Sequence, residues 1–550
     1  MAVSTNWEKN VALKRQHRAS LIPLHWQVRD INKDELYRPL ETLHSSGVLT
    51  HEELALTDLT HDATSTLSRI ASGELTAETV VTAYCKRAAA ADSLTNFITE
   101  VNFNQAIRRA KELDQHFRET GSPVGPLHGL PFTVKDHMNV QGLDTSNGIA
   151  SLCFDPAASN GLLVQILVDA GAVVIAKTNM PQTGFCADTD SVVFGRTLNA
   201  HNSLFGAGGP SGGEGSALGM GGSLFGLGSD GAGSARMPAM ANGVVGYRPS
   251  GYRLPADGRS PFDPGMIGIT QLGPVATFGL MGHSVRDIRT VSKIVADAEP
   301  WEKDPFLYPH PWLGISAPAK PRIGVWVPDV PTNLFHLFPP VLRGYLAAQE
   351  RLRNAGFELV ELKAPDVTGV WYLCKEMLHV QGVKGLTRLI SEEPHTTIVT
   401  KTGIIGLPRW SESVSLEDVQ DANVRLATLN VLMRQAWNAS GTPLDALLSV
   451  TSPNPALPLH EWTDTTFTAV YNCTDWPAIV LPLGMRCDQE LDQAYTDFFP
   501  FEEKDAQLQA LYEPEKFHGL PLAVQLAGQK FQDEKLLAIA ELIHPIIRGE

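Results

Sequence analysis

The amino-acid sequence predicts an α/β protein, on three observations. Residues 162–170 carry helical periodicity, Gly171 stops them, and the β-branched run Ala-Val-Val-Ile-Ala over 172–176 follows at once and ends on Lys177. A helix that hands directly to a strand is the building unit of α/β folds. The run Leu-Pro-Phe-Thr-Val over 130–134 is short and apolar and ends on Lys135 and Asp136, as a buried strand does on reaching a sheet edge. Further runs of the same kind occupy 443–449, 477–482 and 519–525.

The remaining elements follow in chain order. Residues 1–55 predict a helical arm in which Trp7, Leu21, Leu24, Trp26 and Ile31 are apolar islands in a charged background. The spacing of Val80, Val81, Tyr84 and Cys85 predicts a helix over 74–90 with Thr76 as its N-cap. Residues 206–233 hold 13 glycines in 28 positions, interleaved with Leu218, Met220, Leu224, Phe225 and Leu227. A flexible linker lacks such apolar residues, so glycine here means backbone at close quarters. The section 295–420 is rich in Pro, Trp and charge and predicts helices and loops covering one face. No internal repeat and no linker divides the chain, so 56–550 reads as one body behind the arm.

Composition narrows the function. With 550 residues, 43% of them apolar and 19% charged, the chain can bury a large core without disulfides or metal. A net charge of −16 argues against a nucleic-acid partner, which needs Lys and Arg to neutralise phosphates. The six cysteines (Cys85, Cys153, Cys186, Cys374, Cys473 and Cys487) form no C-x-x-C pair, which disfavours a zinc site and a disulfide framework. No metal and no cofactor is expected. The polar N-terminus is unlike a secretory signal, and no run reaches the roughly 18 apolar residues of a spanning helix. These features predict a cytoplasmic protein with no membrane partner; a homodimer is compatible with the sequence.

Three patterns overlap in the glycine-rich stretch. GLGSDG over 226–231 fits the dinucleotide fingerprint, but the flanking strand, helix and acid that the fingerprint requires are weakly marked here, and the pattern is common by chance in glycine-rich sequence. GPSGG over 209–213 fits the nucleophile elbow G-x-S-x-G, which would make Ser211 the nucleophile of an α/β-hydrolase-like esterase. The third pattern is longer: GGPSGGEGSAL over 208–218 followed by GLGSDGAGSARMP over 226–238. Upstream stand GPLHGLPFTVKD over 125–136 and AKTNMPQ over 176–182; GRTLN over 195–199, Gly273-Pro274, SVRD over 284–287 and GLPLAVQ over 519–525 extend the pattern. Together these resemble the amidase signature family over most of the chain, and within it the fungal acetamidase-type amidases.

The resemblance implies a single α/β/α domain around a large mixed sheet over 56–550, with its signature core at about 200–240. It implies hydrolysis of a small carboxamide through an acyl-enzyme on Ser234, with Lys135 as base. Gly231, Ala232 and Gly233 would form the oxyanion hole, Gly184, Phe185 and Cys186 would line the acyl side, and Ser229, Asp230 and Arg236 would support the loop. The residue types suit these roles independently. A lysine is a base only where burial or neighbours lower its pKa, a serine needs a nearby base to attack, and consecutive small residues let N–H groups approach an oxyanion.

One departure is chemically serious. The family's relay serine, held on a cis peptide, lies 24 positions before the nucleophile, and that position here is Pro210. A cis Gly209–Pro210 bond costs only about 0.5–1 kcal/mol, against roughly 3–4 for a non-proline bond, so the loop shape can survive. The hydroxyl does not. Acid–base assistance is worth about 10²- to 10⁴-fold in rate, so its loss should cripple ordinary amide hydrolysis unless replaced. Three routes stand open: Ser211 or a water bridges Lys135 to Ser234, an easier acyl transfer or ester replaces the amide, or the protein binds a small ligand as a pseudo-amidase. A milder departure is Ala232, where the family has glycine.

Overall fold

The computed structural model describes residues 7–29, 31–32, 35–258, 274–327, 334–380, 389–402, 415–462 and 464–550. In chain order the strands are β1 (Ile98–Val101), β2 (Pro131–Lys135), β3 (Val173–Thr178), β4 (Asp190–Ser191), β5 (Gly195–Arg196), β6 (Phe225–Asp230), β7 (Val245–Arg248), β8 (Thr277–Gly282), β9 (Ile323–Trp326), β10 (Leu359–Leu362), β11 (Ala446–Val450), β12 (Ala478–Arg486) and β13 (Pro521–Ala527). Eleven of them form one sheet in the order β1-β3-β2-β6-β8-β7-β12-β13-β11-β9-β10, and β4 with β5 forms a separate two-stranded ribbon.

The sheet is mixed. β2 runs parallel to β3 and β6, and β9 runs parallel to β10 and β11, whereas the pairings from β6 through β8, β7, β12 and β13 to β11 are antiparallel. β2, β3, β6, β7, β8 and β11 are buried at every position, because helices cover both faces of the sheet. One apolar cluster runs from Ile22 to Ile547 and ties the N-terminal helices to the last one.

Local chemistry accounts for the elements near the site. The helix Ala77–Thr95 starts at Thr76, whose side chain accepts the Thr79 N–H, and it stops at Asn96, which takes the left-handed conformation. The helix Leu162–Asp169 and β3 form the expected helix-to-strand unit. In the glycine-rich stretch the chain forms the helix Gly212–Gly219 and then β6. Glycine is a poor helix former, yet side chains would not fit here: a Cβ on Gly213 would collide with the Asn179 backbone, and one on Gly215 would press on Pro238 and Asn242. The dinucleotide reading fails because Gly226 to Asp230 lie inside a strand rather than in a phosphate-binding turn.

The section 295–420 differs from the expectation of helices and loops alone. It contributes β9 and β10, which close one edge of the sheet, besides the helices Pro339–Asn354, Val370–Val380 and Thr397–Thr402. Each of these strands has four residues, too short for period-two alternation to stand out. Parts of this section, 328–333, 381–388 and 403–414, lie outside the described residues.

Candidate active site

Parallel strands β2 and β6 end side by side and deliver the two residues around which the site is built. Lys135 is the last residue of β2, is fully buried, and donates from Nζ to Ser229 Oγ on β6 at 2.8 Å. Asp230 ends β6, and the chain then turns through Gly231, Ala232 and Gly233 to Ser234. Ser234 is 5% exposed and lines a cavity of about 30 Å³ together with Gly209, Pro210, Gly231, Ala232, Gly184 and Phe185. Cys186, Ala187, Met237, Trp371 and Leu378 belong to its apolar wall.

Asp230 and Arg236 hold this turn rigid. The Arg236 guanidinium donates to both carboxylate oxygens of Asp230 at 2.9 Å, and both side chains are fully buried. Asp230 Oδ1 accepts the Gly233 N–H at 2.8 Å, and the Asn472 amide donates to the Asp230 carbonyl and to Oδ1 at 3.0 Å. Burial alone would push the Asp230 carboxyl up, but the Arg236 charge and hydrogen bonds outweigh it and hold it below its ordinary range. Thr468 Oγ1 donates to the Ala232 carbonyl at 2.7 Å from the helix Thr466–Cys473, one turn from Asn472. Gly233 has φ of 116°, and a Cβ there would collide with Thr468, so the turn requires glycine on two counts.

The peptide between Gly209 and Pro210 is cis. The next residue, Ser211, is fully buried at the start of the helix Gly212–Gly219. Its backbone N–H donates to the Ser234 carbonyl at 3.1 Å. Its hydroxyl is engaged with the Ser229 backbone, donating to the carbonyl and accepting from the N–H, both at 3.3 Å. The segment 207–210 before Ser211 is not a strand, so the strand–turn–helix of a nucleophile elbow is missing there.

The structure therefore joins Lys135, Ser229, Ser211 and Ser234 through hydrogen bonds, with Pro210 next to Ser211, and Gly184, Phe185 and Cys186 line the same cavity as Ser234 and Pro210. Gly231 and Ala232 line the cavity, whereas the N–H of Gly233 is committed to Asp230. Sequence reasoning missed Thr468 and Asn472 as holders of the turn, and Trp371 and Leu378 as its far wall. A Thr and an Asn four apart on an apolar helix are the available signal for the first pair, and nothing in the pattern points to the second. Among the described residues, no group of three His, Cys, Asp or Glu side chains is placed to hold a metal ion, and no helix is long and apolar enough to cross a membrane.

A large mixed sheet with this glycine-rich crossover is the fold of the amidase-signature proteins. It superimposes on a solved fatty acid amide hydrolase with a TM-score of 0.91 at 28% identity, covering 98% of this chain and 95% of the other. A native peptide amidase from Stenotrophomonas maltophilia shares the fold at a TM-score of 0.66 and 23% identity, over 88% of this chain and 97% of that one. Residues 79–537 match the Amidase family. An amidase of Gibberella moniliformis is 33% identical, covering 99% of both chains, and an acetamidase of Emericella nidulans is 31% identical, covering 98% of both. The chain belongs to the amidase family, the amidase-signature enzymes.

Proposed function

We propose that this enzyme hydrolyses a small aliphatic carboxamide through an acyl-enzyme on Ser234, with Lys135 as the base. The observation that carries the reading is the buried Lys135, bonded to Ser229, whose backbone Ser211 joins to the Ser234 carbonyl, and a Ser234 that lines a small apolar cavity. Ser234 Oγ attacks the amide carbonyl and its proton passes toward Lys135. The N–H groups of Gly231 and Ala232 receive the oxyanion, Gly233 being engaged by Asp230. Ammonia leaves with the proton, and water then cleaves the ester, releasing the carboxylic acid and regenerating Ser234. A cavity whose wall includes Phe185, Cys186, Trp371 and Leu378 suits a small apolar acyl group. The acetamidase relatives support the same size.

Pro210 supplies no hydroxyl to carry the proton, and Ser211 spends its hydroxyl on the Ser229 backbone. A water between Lys135 and Ser234 is then the relay, and slow turnover of unactivated amides is expected. Pro210 also favours a second reading, a ligand-binding protein that keeps the cavity without the chemistry. A panel of small amides and esters, with the Pro210→Ser variant alongside, distinguishes them. On the first reading a fluorophosphonate labels Ser234, Ser234→Ala and Lys135→Ala abolish turnover, and Pro210→Ser raises amide hydrolysis at least tenfold, within the roughly 10²- to 10⁴-fold span of acid–base assistance. Turnover that survives Ser234→Ala overturns it, and an unlabelled Ser234 with intact small-amide binding supports the second.

A further inference from the structure

The helix Gly212–Gly219 carries one ionisable side chain, Glu214, that this chemistry does not use. Glu214 is fully buried. Its Oε1 accepts from Thr178 Oγ1 on β3 at 2.6 Å, and its Oε2 accepts from Thr133 Oγ1 on β2 at 2.7 Å. Thr133 and Lys135 are two residues apart on β2 and so point to the same face. Gly226 on β6 leaves the room the carboxyl fills, because a Cβ there would collide with Glu214 Oε2. Three residues further along β6, Ser229 takes the hydrogen bond from Lys135. Thr133, which holds the carboxyl, and Lys135, which carries the amine, therefore stand two residues apart on one face of β2, a rise of about 7 Å along the strand.

Two hydroxyl donors are few for a buried carboxylate, which offers about four lone-pair sites. Burial pushes Glu214 up to about 7, against the Thr133 and Thr178 hydrogen bonds and the Lys135 charge. Other charges nearby are turned elsewhere. Lys177 on β3 lies on the face opposite Thr178 and donates to the Asp144 carbonyl and Thr145. Asp230 on β6 is held by Arg236. Arg87, from the helix Ala77–Thr95, is directed at the Met220 carbonyl, Thr57 and His44.

We infer that Glu214 is a positioning residue for Lys135, its buried carboxyl and the lysine amine binding protons as an interacting pair that sets the pH at which the lysine works as a base. The inference rests on the proposed role of Lys135 and deepens it. The sign follows from Coulomb attraction: ionised Glu214 stabilises the ammonium form and so holds the proton on Lys135 to higher pH. Removing that charge releases the proton sooner.

In Glu214→Gln the acid limb of the profile of kcat/KM against pH is expected to move down by roughly half a pH unit or more. Thr178→Val, which removes one donor to the carboxylate and so favours its neutral form, is expected to move the limb the same way by less. Circular dichroism checks folding, and if Glu214→Gln does not fold, Thr178→Val alone decides. Ser234→Ala is measured beside them. If it abolishes turnover while the acid limb stays in place in the folded variants, the role of Glu214 is overturned and the catalytic reading stands. If turnover survives Ser234→Ala, both fall.

Discussion

The Asp230–Arg236 pair carries more of the site's geometry than either candidate catalytic residue. Its guanidinium also donates to the Thr468 carbonyl, to Asn472 Oδ1 and to Gln525 Oε1, so one side chain joins the turn to the helix Thr466–Cys473 and to β13. Removing one partner of a buried, hydrogen-bonded pair leaves an uncompensated charge, which costs about 3–5 kcal/mol. Arg236→Met is therefore expected to lower the melting temperature by several degrees and to abolish labelling of Ser234. A melting curve read together with fluorophosphonate labelling checks this, and a variant that melts and labels like the wild type would refute it. At this scale the motif made Lys135, Ser234, Asp230 and Arg236 legible, because glycine-rich turns with a flanking lysine strand are chemically distinctive. Thr468 and Asn472 were not legible, since they lie more than 230 positions away and reach the turn only through packing.

The helix Val370–Val380 contributes Trp371 and Leu378 to the cavity wall. It packs in a separate apolar cluster with Phe185, Cys186, Ala232 and the helix Thr466–Cys473, and Cys374 donates from Sγ to the Gly231 carbonyl at 3.7 Å. Trp371→Ala removes the largest side chain of the wall. It is expected to raise kcat/KM for a five- or six-carbon amide relative to acetamide by up to about 10²- to 10³-fold, since each of the three or four added methylenes accommodated in an apolar pocket is worth roughly 1 kcal/mol. A chain-length series with the two enzymes measures it, and an unchanged preference would place the size limit elsewhere. Wall residues of this kind leave little trace in sequence: on a buried helix a tryptophan that packs the core and one that closes a cavity follow the same period.

The whole molecule buries several carboxyls that burial has pushed up. Asp188 is one, at about 7, with its backbone packed against Gly209 beside the cis peptide and its carboxylate accepting the N–H groups of Thr189 and His460. A raised value in the folded state means that the folded protein holds this proton more tightly than the unfolded chain. Its contribution to stability is full below about 4 and is lost as pH rises through about 7. Two buried histidines, His201 and His544, work the other way: burial lowers each to about 4, so their contribution is present above about 6.5 and is lost as pH falls toward 4. Comparing Asp188→Asn with the wild type removes the histidine effect, and the variant's relative stability is expected to rise between pH 4 and 7 by up to about 4 kcal/mol. Denaturation at a series of pH values tests this, and parallel curves would count against it.

The sequence by itself determined the α/β class, the cap at Thr76, the strands carrying Lys135 and Lys177, and the likeness that marked Ser234 and the proline at its relay position. These are local matters, fixed by periodicity, turn chemistry and residue type within a few positions. Tertiary structure decided the strand order, the two short edge strands β9 and β10, and the hydrogen bonds that join Lys135 to Ser229 and Ser211 to the same residue's backbone. It also decided what walls the cavity, because Trp371 and Leu378 line it with Ser234 from 137 and 144 positions downstream. The physical reason is that pairing and packing between distant segments depend on which faces meet once the chain has collapsed, and no window of sequence records that meeting.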